Sequence, residues 1–140
     1  MTNSGRQGEL LFSRRMREAG YLVEDVSGNR DYWEKDIDFL VTNPSTGAVR
    51  AFEVKWDTRI NQTGNLYLEL SNIHSKGGEG WFSFTQADFL AYGDAASKVF
   101  YIIPMEKLRE RTQKLSQRMT NCGTDSIGQL VNIREIMDIA

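Results

Sequence analysis

KDIDFLVTNPSTGAVRAFEVKWD, residues 35–57, holds two apolar runs on either side of a turn-forming stretch, and each run carries charge at alternate positions. Side chains alternate faces along a strand. Asp36, Asp38 and Leu40 therefore share one face, with Ile37, Phe39 and Val41 on the other. Glu53, Lys55 and Asp57 likewise oppose Phe52, Val54 and Trp56. A hairpin loop over Pro44-Ser45-Thr46-Gly47 pairs Asn43 with Ala48 and sets the register. Phe39 then faces Phe52 and Ile37 faces Val54. On the charged face Asp38 lies opposite Glu53, and Asp36 opposite Lys55. Like charges directly opposed destabilise a sheet. The charged face is thus either a solvated surface or a set of oxygen ligands around a cation, and spacing alone leaves both open.

At 140 residues the chain reads as one domain, 1–140, large enough to fold around its own core. Its single cysteine, Cys122, offers neither a disulfide nor a zinc cluster, and its single histidine, His74, excludes a site built on several imidazoles. No run approaches the ~18 apolar residues of a membrane span. The N-terminus lacks the layout of a secretion signal, so the chain reads as a soluble cytoplasmic protein. The net charge of −2 argues against a general polyanion binder. The charge is uneven, however. Arg6, Arg14, Arg15 and Arg17 cluster near the start, and Lys107, Arg109, Arg111, Lys114 and Arg118 near the end. These basic segments are either solvated helix faces or the means by which an acidic chain reaches DNA. Lys76-Gly77-Gly78-Glu79-Gly80 lacks the spacing of a phosphate-binding P-loop.

The pattern predicts a helix over 5–19 and strands over 21–26, 36–42, 49–57 and 65–70. Thr85 and Asp88 resemble a capping box opening a short helix, QADFLAY, stopped by Gly93. A buried strand follows over 98–103, then a helix from Met105 to about Met119, with Pro104 suited to its first turn. Residues 121–128 read as loop, and Ile133, Ile136 and Met137 as the apolar side of a short last helix. The class is mixed α/β: a central mixed sheet of four to five strands flanked by helices.

Asp38, the short hairpin and Glu53-Val54-Lys55 resemble the PD-(D/E)XK nuclease superfamily, although the proline before the first aspartate is missing. Glu9, on the first helix, is similar in placement to an extra acid of Holliday-junction-resolvase-like members. Thr63-Gly64-Asn65-Leu66-Tyr67-Leu68-Glu69, Thr85-Gln86-Ala87-Asp88 and Val99-Phe100-Tyr101-Ile102-Ile103-Pro104 resemble a compact phage-type branch. The resemblance implies a restriction-endonuclease-like αβββαβ core and Mg²⁺- or Mn²⁺-dependent hydrolysis of DNA, with branched or structured DNA in phage recombination or repair as a substrate. Asp38 and Glu53 would hold the ion with the Val54 carbonyl, Lys55 would be the catalytic lysine, and Glu9 would complete the site. Glu69 and Asp36 are possible additional acids. Arg14, Arg15, Arg59, Thr63, Asn65 and Lys76 are candidates for contact with DNA. Enzymes of this kind often act as homodimers. The alternative is a catalytically weak or inactive binding module on the same scaffold, acting on another protein.

Overall fold

The computed structural model describes residues 3–73, 78–115, 119–122 and 126–140. Two sheets stand at its centre. The larger has the strand order β1-β2-β3-β5-β6, and the smaller β4-β8-β7. The larger sheet comprises β1 (Leu22–Asp25), β2 (Phe39–Thr42), β3 (Val49–Asp57), β5 (Phe89–Asp94) and β6 (Val99–Pro104); the smaller comprises β4 (Asn65–Asn72), β7 (Met119–Cys122) and β8 (Ser126–Asn132). Helix α1 (Asn3–Glu18) covers one face of the larger sheet, and α5 (Met105–Lys114) follows β6. Single helical turns, α2 (Arg30–Trp33), α3 (Ile60–Thr63) and α4 (Trp81–Phe84), fill the connections.

The hairpin register agrees with the sequence reading. Phe39 pairs with Phe52, and the Asn43 N–H donates to the Ala48 carbonyl at 2.9 Å. Phe12 from α1 packs on Phe39 and Phe52 at ring-centroid distances of 5.5 and 5.2 Å. Together with Val41, Val54 and Ala91 they form one apolar cluster. A second cluster, with Leu66, Leu68, Leu90, Ile103, Leu108 and Val131 at its centre, joins the smaller sheet and α5 to the opposite face.

Three expectations fail. QADFLAY is not a helix: its second half is β5, parallel to β3 from Phe52↔Phe89 to Asp57↔Asp94. Leu90 and Tyr92 enter one cluster and Ala91 the other. A strand buried on both faces reads as a continuous apolar run, which periodicity alone does not separate from a short helix. Asp88 caps nothing, and its carboxylate accepts the Ala51 N–H at 2.7 Å, tying the start of β5 to β3. The segment 65–70 does not join the central sheet either. Parallel strands need a long crossover, and here it is built from α3, β4 and α4. The tail is strand rather than loop and helix: α5 ends at Lys114, short of the expected Met119, which instead opens β7, and β8 pairs with β4 along its length, followed by a 3-10 turn at Ile133–Glu135.

Gly93 does not stop a helix. It lies in β5 where a Cβ would come within 2.5 Å of the Trp56 ring and 2.8 Å of Phe100. Gly93→Ala should therefore overpack this contact and destabilise the fold by about 1–3 kcal/mol. Urea unfolding of the variant checks this, and an unchanged midpoint contradicts the packing described.

Candidate active site

Glu53, Lys55 and Asp57 point away from α1, toward the smaller sheet. The charged face of β3 is therefore partly covered: Glu53 is only 2% exposed, while the Lys55 side chain keeps 32% exposure. Lys55 Nζ sits 3.0 Å from Glu53 Oε1 and 4.9 Å from the centre of the Trp81 ring. Asp38 reaches the same place from the start of β2. Its Oδ2 accepts the Val54 N–H at 2.9 Å, while its own N–H donates to the Phe52 carbonyl at 2.9 Å.

Asp36 arrives by another route than the expected strand alternation. Its φ is 54°, in the left-handed region that aspartate tolerates better than most residues. The Thr85 hydroxyl donates to the Asp36 carbonyl at 2.8 Å, and the Gln86 N–H to the Lys35 carbonyl at 2.8 Å. The turn is held by the segment leading into β5. The Asp36 side chain is thereby close enough to Lys55 for the two charges to interact.

Glu9 lies on α1 with 4% exposure. Arg6 pairs with Glu9 at 2.9 Å and with Asp25 at 3.1 Å. Arg6 and Asp25 were not foreseen. An arginine three residues before Glu9 is the one signal the sequence carries for them. Glu69 is turned to other work: it accepts from Ser126 Oγ at 2.8 Å, Asn72 Nδ2 at 3.3 Å and the Trp81 N–H at 3.4 Å.

Burial dominates the electrostatics. It pushes the Asp38 carboxyl up to about 7, with the charge of Glu9 adding to the effect and the Val54 N–H opposing it. It raises Glu53 well above the usual carboxylate range, against the pull of Lys55. Asp36 and Glu9 are raised by the same cause. For Lys55 burial works against the charge, but Glu53, Asp36 and Asp38 more than offset it and hold the ammonium above its ordinary value. One cation thus faces several carboxyls.

Among the described residues two buried oxygens, Asp36 Oδ2 and Glu53 Oε2, have no N–H or hydroxyl partner, and the two carboxyls lie close to each other. Orphaned buried acceptors are costly and call for a donor or a cation. All the donors here are hard oxygens, which suit Mg²⁺ or Mn²⁺. Among the described residues no three acidic, histidine or cysteine side chains form a ready-made cage. Mg²⁺ does not need one, since it binds through one or two carboxylates and keeps several waters. The residues present fit such an ion.

Beside Lys55 opens a cavity of about 560 Å³, which Arg59, Thr63 and Asn65 also line. Three of the six candidates for DNA contact therefore share one space with the lysine. Thr63 Oγ1 is engaged locally, accepting the Asn65 N–H at 3.1 Å. Arg14 and Arg15 are placed elsewhere. Arg14 pairs with Glu18 at 3.8 Å on an exposed turn of α1. Arg15 donates to the Lys98 carbonyl and lies over Phe100. Lys76, like His74, is outside the described residues. Two of the four basic residues of α5 are structural: Arg109 donates to the Phe82 and Thr85 carbonyls at 3.2 and 2.6 Å, and Arg111 makes a two-pronged bridge to Asp138.

The fold is similar to that of a homing endonuclease. The structure titled "The structure of a bacterial homing endonuclease: I-Ssp6803I" superposes with a TM-score of 0.56, covering 92% of this chain and 72% of that one at 15% identity. At that identity what is shared is the fold. No protein-family model and no curated protein matches the chain. No described helix is long and apolar enough to cross a membrane.

The raised carboxyls set a pH dependence. Between its ordinary 3.8 and about 7, Asp38 keeps its proton in the folded chain and loses it in the unfolded one. The folded state binds more protons, so the stability of the metal-free protein falls as pH rises through that window. Asp38→Asn preserves an oxygen acceptor for Val54 and removes the titration. In EDTA the variant should melt above wild type at pH 8, with the gap closing toward pH 4. A wild type that gains stability over the variant as pH rises contradicts the burial of Asp38.

Proposed function

We propose that this chain is a divalent-metal-dependent endonuclease that hydrolyses phosphodiester bonds in DNA, with branched or structured DNA as its target. The observation that carries the reading is the group of Asp38, Lys55 and the buried Glu53, one of whose oxygens has no partner among the described residues, with an endonuclease-like fold around it. In this reading Asp38, Glu53 and the Val54 carbonyl hold Mg²⁺ or Mn²⁺, and Asp36 offers a further oxygen. An ion bound there supplies a lowered pKa for water and neutralisation of charge on a phosphodiester.

The chain's own residues do the rest. Lys55 is held charged by the acids around it, so it serves as a fixed cation that orients the attacking water and steadies the anionic transition state. Trp81 stands behind the ammonium and keeps it from turning freely into solvent. Glu9 adds negative charge at Asp38, while Arg6 holds the Glu9 side chain in place. Glu53 is shut off from water, which strengthens each charge interaction around it. Arg59, on the rim, is the cation best placed to meet a neighbouring phosphate.

The test is cleavage of supercoiled plasmid and of a synthetic four-way junction in Mg²⁺, Mn²⁺ or EDTA. Wild type should cut only with metal. Lys55→Ala and Glu53→Gln should each lower the rate by about 10²-fold or more, the scale of losing one electrostatic stabiliser of the transition state. Arg59→Ala should weaken binding and flatten its salt dependence, leaving the metal requirement intact. A folded wild type that cuts neither substrate with either metal overturns the endonuclease reading and favours a binding module on this fold.

A further inference from the structure

The cavity beside Lys55 is more than the cleavage chemistry uses. At about 560 Å³ it falls within the range of pockets that enclose small organic ligands. Part of its wall is aromatic and apolar, from Trp81, Tyr67 and Leu130, and Arg59 and Asn65 are among the polar side chains that line it.

These walls are preset. A Cβ on Gly128 would come within 2.4 Å of the Tyr67 ring, so the ring is pressed onto bare backbone there. The Tyr67 hydroxyl is held by Ser126 Oγ at 2.6 Å. Trp81 meets Phe82 edge-on at a centroid distance of 5.8 Å. The carboxylate on the wall, Asp57, is already engaged. It accepts the Tyr92 hydroxyl and the Arg59 and Ile60 N–H groups at 2.6 and 3.1 Å. Two donors remain free for a guest. Asn65 Oδ1 accepts from Asn132 at 3.3 Å, but the Asn65 Nδ2 group has no partner among the described residues. The Arg59 guanidinium has none there either.

An aromatic pocket with an amide donor, opening beside a cation suited to phosphate, matches the chemistry of a nucleotide whose base has left the stack. Continuous duplex cannot present a base face to such walls. Aromatic side chains stack on any unpaired base, and enzymes that act on displaced nucleotides read the exposed edge by hydrogen bonds. We propose that this cavity seats one unpaired nucleobase beside the bond that is cut, so that the chain selects DNA carrying an extrahelical or branch-point nucleotide over continuous duplex. The proposal rests on the endonuclease reading for its cut bond, and on the cavity alone for its base.

Binding in EDTA separates the two. The probes are fluorescein-labelled duplexes that differ only by a single bulged nucleotide, with affinity read by anisotropy and the fold of each variant checked by thermal melting. Wild type should bind the bulged duplex roughly tenfold more tightly, the scale of one base–aromatic stack. Trp81→Ala and the cavity-filling Leu130→Trp should bring the ratio of affinities close to one, and Trp81→Phe should restore most of it. Equal affinity of wild type for the two duplexes, or a preference that survives both cavity variants, overturns the proposal. Metal-dependent cutting of duplex with no preference for the bulge removes the base pocket and leaves the endonuclease. A bulge preference lost in both cavity variants, without cutting in Mg²⁺ or Mn²⁺, supports the base pocket and removes the endonuclease.

Discussion

Lys55 is the ammonium in a buried neighbourhood of carboxyls, and much of this structure is arranged around keeping it charged. Its partner Glu53, 3.0 Å away, is almost wholly out of water. Desolvation of that kind is expensive, and it is tolerated where the opposite charge and further hydrogen bonds offset it. Lys55 supplies part of that offset for Glu53 and for Asp36 and Asp38 as well. What it leaves undone is visible in Asp36 Oδ2 and Glu53 Oε2, which have no N–H or hydroxyl donor among the described residues. Strain of this sort concentrates at functional sites, where a local cost is carried by a stable scaffold.

The scaffold that carries it is β3, the middle strand of the larger sheet. Its apolar side anchors α1 through Phe12. Its charged side is roofed by the smaller sheet and α4. The crossover from β3 to β5 does two things at once: it satisfies the length a parallel connection needs, and it delivers β4 and Trp81 beside Lys55. Tyr92 ties these layers together, donating to Asp57 on β3 and accepting the Tyr67 N–H from β4 at 3.0 Å. Site and cavity are therefore products of one connection. Polar contacts from remote segments complete it, such as Thr85 on the Asp36 carbonyl and Ser126 on Glu69.

The hairpin and its register were legible because turn chemistry and strict alternation over residues 36–57 allow one pairing that buries the apolar side chains. The grouping of Asp38, Glu53 and Lys55 followed from that pairing. The placement of Asp36 followed from neither, because its left-handed backbone breaks the alternation. The second half of QADFLAY was misread as helix because a doubly buried strand has no amphipathic period. The tail was misread because β8 depends on pairing with β4, more than fifty residues earlier in the chain. Charge clusters were open in the same way: neither a solvated face nor a route to DNA describes Arg109 and Arg111, which are bound to carbonyls and to Asp138.

The sequence by itself determined the local facts: the α1 helix, the β2–β3 hairpin, and two acids and a lysine on one side of it. These depend on residues a few positions apart, whose periods and turn preferences are written in the chain. Tertiary structure alone decided that Glu53 on this side is buried rather than solvated, that the side adjoins a cavity with aromatic walls, and which arginines are tied down. Those outcomes depend on desolvation and on contacts between distant segments, and both exist only once the two sheets have come together.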